Sequence, residues 1–150
     1  MENVKSYWLI FAGLTIMLIL SLGGGLWGAE QSIGHWTGKL FEKVCHQDPL
    51  RSFKFNTVPM AVNSRCFGIF SGLWVGWLII PFFIHLTFKK VWINWILLFA
   101  VMLQIIDYMG NHLMWENNNT SRAVLGLLLG IAVSVFLSDL FQIKIKKGES

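Results

Sequence analysis

Long apolar runs alternate with short polar connections along this chain. Residues 7–27 form the first run, which follows Lys5 and passes through Gly23-Gly24-Gly25. The second, residues 67–88, carries no Asp, Glu, Lys or Arg, and Pro81 inside it predicts a kink rather than an end, because packed neighbours in a membrane can satisfy the backbone groups a proline frees. After Lys89-Lys90 a third run covers 91–109, and a fourth covers 123–141 ahead of Lys144, Lys146 and Lys147. Each run is close to the roughly 20 apolar residues a helix needs to cross the hydrocarbon core. The pattern predicts an all-α integral membrane protein, a four-helix bundle forming a single transmembrane domain over residues 1–150. The first run is expected to be a retained anchor rather than a cleaved signal: it is long for a signal core, and Ala29 is followed by Glu30 and Gln31 instead of a small-residue cleavage pattern.

The polar stretch between the first two runs has a periodicity of its own. Ile33, Trp36, Leu40, Phe41 and Val44 recur at helical spacing, Lys39, Glu42 and Lys43 fall off that face, and Ser32 is placed to cap the start. This predicts an interfacial helix over residues 32–45 that delivers Cys45 and His46 to the head-group region. Within the spans, Gly68, Gly72 and Gly76 repeat every fourth position, as do Gly126 and Gly130, so two helices carry smooth stripes on which another backbone can pack closely. Trp8, Trp27, Trp92 and Trp95 fall near span ends, where amphipathic rings prefer the interface, whereas Trp74 and Trp77 lie too deep for that explanation.

Composition excludes a soluble globular domain: 55% of residues are hydrophobic and 13% charged, against about 25% charged in soluble domains. The net charge of +4 comes from basic residues bordering apolar runs, which suits anionic head groups and not nucleic acid. Membrane lipid is the expected partner, with other membrane subunits as a second class. Four spans place both termini and Lys89-Lys90 on one side and the loops 29–65 and 107–122 on the other. Six of the 12 basic residues fall on each side, so the positive-inside rule does not decide by number. The Lys-only turn and tail favour cytoplasmic termini, in a bacterial inner membrane.

Candidate chemistry gathers in the larger loop. Cys45 and His46 are adjacent, and Cys66 follows at the mouth of the second span. Thiolate and imidazole suit zinc or another transition metal, but three such ligands leave a tetrahedral site one short; Asp107, His35, His112 or water could complete it. The alternative is that the cysteines are small apolar residues and His46 an ordinary loop side chain. In an oxidising compartment the two thiols could instead form a disulfide or cycle as a redox pair. Asp107 stands near the end of the third run, and a carboxylate at mid-bilayer costs about 2.5–3.5 kcal/mol on insertion scales. Arg51, Arg65 and Arg122 fall on the same side, so Asp107 is expected to turn inward and meet Arg65 or Arg122. Thr120 or Ser121 is placed to cap the fourth span.

Cys45-His46-Gln47, then Pro49, Arg51-Ser52-Phe53, then Arg65-Cys66 and Gly68-Ile69 resemble the signature of Domain of Unknown Function 2085, a family of small prokaryotic membrane proteins in which CHQ-x-P-x-RS precedes C-x-R-C-x-G-I-Y at the start of a spanning helix. Asp107, Glu116, Asn119, Arg122 and Gly126 are similar to the family's later acidic position and its E-x-x-N-x-x-R-x-x-x-G spacing. Two positions depart from it: Asn63 stands where the family has the first cysteine of C-x-R-C, and Tyr108 stands where a glycine usually follows the acid. A three-cysteine metal site is therefore not available, and a metal in this member would draw on Asn63, Asp107 or water. The residues, supported by the resemblance, predict a polar site at one membrane face comprising Cys45, His46, Gln47, Arg51, Ser52, Arg65, Cys66, Asp107, Asn119 and Arg122, with Cys45, His46, Cys66 and Asp107 as the metal-ligand candidates. The resemblance implies no particular activity. Metal or thiol chemistry at this site is one expectation, and a non-enzymatic subunit or scaffold is the other. The first requires side chains converging on a pocket, the second side chains satisfied by one another.

Overall fold

The computed structural model describes residues 2–23, 32–55, 57–83, 90–113 and 118–147. Trp27, His85, Lys89 and Glu116 lie outside the described residues, as do the side chains of Ser32, His35, His112 and Asp139. In chain order the elements are α1 (Glu2–Leu22), α2 (Ser32–Phe41), a 3-10 turn (Pro49–Arg51), β1 (Lys54–Phe55), β2 (Val58–Pro59), α3 (Ser64–Phe83), α4 (Lys90–Leu113) and α5 (Asn119–Lys147). Four of these helices are long and apolar enough to cross a membrane, over Lys5–Leu22, Ser64–Pro81, Val91–Asn111 and Asn119–Ser138.

Three starts differ clearly from the hydropathy pattern: α1 begins at Glu2 rather than residue 7, and two others have a visible cause. α3 begins at Ser64 rather than Phe67, because the Phe67 N–H donates to the Asn63 carbonyl at 2.9 Å, and α5 begins at Asn119 rather than Ala123, because the Arg122 N–H reaches the Asn118 carbonyl at 3.2 Å. Hydropathy marks where lipid begins, whereas backbone hydrogen bonding marks where the helix begins. Thr120 and Ser121 accordingly lie inside the first turn and do not precede it as caps. α3 continues through Pro81 to Phe83. α1 ends in a turn at Gly23, whose φ of +51° suits a residue with no Cβ.

The glycine stripes define the central seam. A Cβ placed on Gly68 would overlap the carbonyl of Ala123, one on Gly72 the carbonyl of Leu127, and one on Gly76 the hydroxyl of Ser134. From the other side, Gly126 faces the Arg65 carbonyl and Gly130 the Ile69 carbonyl. The partners advance together along both chains, so α3 and α5 run parallel with their backbones in contact. α1 packs on α3 in the opposite direction: Tyr7 stacks on Trp77 near the α3 C-terminus at a centroid distance of 5.7 Å, and Phe11 stacks on Trp74 at 5.6 Å. Trp74 Nε1 donates to Thr15 Oγ1 at 2.9 Å, Trp77 Nε1 to the Tyr7 carbonyl at 3.3 Å, and the Tyr7 hydroxyl to the Trp77 carbonyl at 3.2 Å. The two deep tryptophans are thus fasteners between helices. These directions put the N-terminal end of α1 and the C-terminal end of α5 at one end of the bundle and the larger loop at the other.

The hydrophobic core sits at the loop end. Phe41, Cys45, Ala61, Val62 and Phe70 form a buried cluster, with Met17, Leu18, Leu20, Cys66 and Phe67 packed against it. α2 joins this core through Thr37 and Phe41, one turn apart, while Trp36 and Leu40 and the following Val44 remain exposed. The apolar stripe read from the sequence therefore divides: Phe41 faces the protein, and Trp36, Leu40 and Val44 are left for the lipid interface. α2 also ends at Phe41, short of residue 45, because Val44 and Cys45 N–H groups both turn back to the Phe41 carbonyl, at 3.0 and 2.8 Å. Outside the loop end the surface is apolar: Trp8, Trp92, Trp95 and Phe99 are each at least 60% exposed, as expected of side chains that contact lipid.

Candidate functional site

The loop from Glu42 to Asn63 forms a cap on the bundle, and its polar groups are largely occupied by one another. After α2, Gln47 takes a left-handed conformation, φ +46°, that redirects the chain, and its Nε2 donates back to the Gly38 carbonyl. Asp48 then caps the 3-10 turn: Oδ1 accepts from the Leu50 N–H at 3.0 Å, Oδ2 pairs with Arg51 Nε at 3.2 Å, and Pro49 occupies the first position, where a missing N–H costs nothing. The Ser52 hydroxyl, buried, lies 2.9 Å from the Asp48 carbonyl and 3.2 Å from Asn63 Oδ1, and its single proton serves one acceptor at a time. A short antiparallel hairpin pairs Lys54 with Pro59 and Phe55 with Val58, and Met60 N–H closes its base on the Phe53 carbonyl at 3.0 Å.

The hairpin returns the chain to Asn63, whose backbone N–H donates to Cys45 Sγ at 3.2 Å. Cys45 is buried in the apolar cluster, and the half-buried Cys66 packs against that cluster. Both thiols are free. The fold therefore brings both cysteines to the loop end of the bundle. His46, by contrast, is exposed.

The spans contribute the rest. Arg65, in the first turn of α3, pairs with Asp107 of α4, which is 7% exposed. Of the two arginines expected for Asp107, Arg65 is the one that forms the ion pair; Arg122, in the first turn of α5, donates through Nη2 to Asn111 Oδ1 at 3.0 Å, one helical turn beyond Asp107. Asn119 Nδ2 reaches the carbonyls of Leu50 and Ser52, each at 3.3 Å, and ties the start of α5 to the 3-10 turn. Sequence reasoning missed Asp48, Asn63 as a donor, and Asn111. Asp48-Pro49 carried a readable signal as a cap before a proline, and Asn111 stands four residues after Asp107 on the same helix face.

Cys45, His46, Cys66 and Asp107 are not brought together as a ligand set. Among the described residues no group of three or more His, Cys, Asp or Glu side chains is placed to hold a metal ion. The reason lies in the partners: Cys45 accepts a backbone N–H in an apolar cluster, Asp107 is engaged by a guanidinium, and His46 faces outward.

Four long apolar helices closed at one end by a polar cap define a small polytopic membrane protein. The chain belongs to the family described as a predicted membrane protein, Domain of Unknown Function 2085, whose model matches residues 45–136. It is also 33% identical over 103 residues to an uncharacterised protein of Methanocaldococcus jannaschii, an alignment that covers 68% of this chain and 66% of the relative's own length. No solved structure matches the chain.

Proposed function

We propose that the chain is a non-enzymatic membrane module, a single transmembrane domain that serves as a subunit or scaffold of a larger membrane assembly, with the Cys-His-Gln motif acting as the clamp that holds the loop over the bundle. The observation that carries this reading is that four of the site's side chains are engaged within the cap and its adjoining helices: Ser52 with Asp48 and Asn63, Asn119 with the 3-10 turn, Cys45 with Asn63, Arg65 with Asp107. A catalytic or metal centre would leave several such groups pointed at a shared open space. The exposed apolar face of α4, including Trp95, Phe99, Met102 and Ile106, offers the area that lipid or a neighbouring subunit would cover. Cytoplasmic termini complete the proposal, putting the clamp on the opposite face.

Elemental analysis and native mass measurement on the purified full chain test it. Metal well below one atom per chain, unchanged by Cys45→Ser, and a native mass above that of a single chain are expected. Near-stoichiometric metal that disappears in Cys45→Ser would overturn the clamp, and a strictly monomeric particle in mild detergent would remove the subunit role. The packing of Cys66 against the cluster that holds Cys45 favours one second reading, reversible dithiol chemistry at the same face. Thiol titration of protein isolated without reductant separates the two: two titratable thiols per chain belong to the clamp, none belongs to a redox pair.

A further inference from the structure

The parallel glycine seam brings the N-terminal ends of α3 and α5 side by side at the loop end. Each helix presents unpaired backbone N–H groups and the positive end of its dipole there, an arrangement that favours anions. Arg65 and Arg122 occupy the first turns of these two helices, flanking the point where Gly126 meets the Arg65 carbonyl and Gly68 meets the carbonyl of Ala123, the residue after Arg122. The Asn119 bonds to Leu50 and Ser52 bring Arg51 to the same end. Arg122 lies within electrostatic reach of both other guanidinium groups, and of Asp48 and Asp107.

Among the described residues the charge in this cluster does not cancel. Three arginines face two described carboxylates, each already committed, Asp48 to Arg51 and to the cap of the turn, Asp107 to Arg65. Arg122 makes its hydrogen bond to a neutral amide, Asn111. Arg65 Nε and the hydroxyl of the fully buried Ser64 beside it have no hydrogen-bond partner among the described residues. The cluster is also reachable, since the Arg51 side chain is 53% exposed and that of Arg65 27%. Its depth is fixed by the apolar windows, which end at Asn111 and begin at Ser64 and Asn119. That is head-group depth, where the anion on offer is a phosphate.

We infer that Arg51, Arg65 and Arg122 form a binding site for a phosphate group at the loop end of α3 and α5. Guanidinium forks suit phosphate oxygens through paired hydrogen bonds. The phosphate could belong to a lipid head group or be free in solution. The site shares its membrane face with the clamp but does not require the clamp reading, which is tested by metal content and mass rather than by anions.

The test uses the full chain in neutral detergent, with native mass spectrometry against phosphatidylglycerol and phosphatidylcholine, and thermal unfolding with inorganic phosphate against chloride at equal ionic strength. Arg51→Gln is the principal variant because Arg51 is exposed and its loss leaves the bundle intact; Arg122→Gln is the second, and Lys54→Gln, an exposed position on β1, removes the same charge outside the cluster. Selective retention of phosphatidylglycerol, weakened about tenfold by either arginine variant and not by Lys54→Gln, supports a head-group phosphate, tenfold being the weight of roughly one charge-assisted hydrogen bond. Stabilisation by inorganic phosphate with the same variant pattern supports a free phosphate. Equal retention of both lipids with no phosphate effect overturns the site. So does a preference that Lys54→Gln weakens as much as Arg51→Gln, since general surface charge would then suffice.

Discussion

The two seams of α3 hold by opposite means. Toward α5 the helix is bare: Gly68 and Gly72 let backbone meet backbone, Gly76 admits the small Ser134 side chain, and attraction comes from close contact. Toward α1 it is heavily furnished: Trp74 and Trp77 stack on Phe11 and Tyr7 and donate to Thr15 and to the Tyr7 carbonyl. In lipid, where apolar side chains gain nothing by leaving solvent for one another, helices associate through packing and hydrogen bonds. This protein separates the two contributions onto two faces of one helix. The bare seam tolerates no added atom, while the furnished seam can lose one contact and keep the others.

Substitutions can break or sharpen that contrast. The largest effect is expected at Gly72→Leu, where a side chain would have to occupy the space of the Leu127 carbonyl; overpacking costs about 1–3 kcal/mol where neighbours can shift, and here the neighbour is backbone, so the cost exceeds that range. Loss of the folded, protease-resistant bundle in detergent is the expected result, and a stable Gly72→Leu protein would refute the backbone seam. Next comes Asp107→Asn, which leaves the Arg65 guanidinium half-covered without its counterion. Removing one partner of a buried pair costs about 3–5 kcal/mol, and the lower end applies because the Arg65 side chain is 27% exposed. Chemical unfolding should show it, with Asp48→Asn as a mild comparator: its pair with Arg51 is exposed and worth about 1 kcal/mol or less.

The furnished seam should respond more gently. Trp74→Phe keeps a ring against Phe11 but removes the donor to Thr15, an expected loss of about 1 kcal/mol. Combining it with Thr15→Val should add little beyond the single change, because both remove the same bond; full additivity would show that the bond contributes nothing. The smallest effect belongs to Asn119→Ala, whose two bonds are long at 3.3 Å and partly open to solvent. A shift under about 1 kcal/mol is expected, read best as faster proteolysis of the 3-10 turn rather than as a change in global unfolding.

The polar cap shows where legibility stopped. Cys45 and Cys66 could be read as neighbours from their motifs, and Asp107 could be read as paired, since a carboxylate near a span end needs a partner. Which arginine it would choose could not be read, because Arg51, Arg65 and Arg122 all fall on that side. The hairpin at residues 54–59 gave no alternating pattern: its strands are two residues each, too short for a period to show. Among the described residues the metal-ligand candidates are not brought together, for a related reason. Cysteine, histidine and aspartate at suggestive spacing describe donors, whereas Asn63 N–H and Arg65 occupy two of those donors only once the chain is folded.

What the sequence determined by itself was the number of spans and the faces fit for close packing. Transfer into lipid is a property of each segment alone, summed residue by residue, and a stripe of glycines is smooth whatever lies opposite. The tertiary structure decided which surfaces meet: that the Gly68 stripe lies parallel on the Gly126 stripe, that the deep tryptophans fasten α3 to α1, and that Arg65 takes Asp107 while Arg122 passes to Asn111. Pairing depends on the relative register of two helices, and that register is set when both backbones are in contact, a condition that no single stretch of the chain contains.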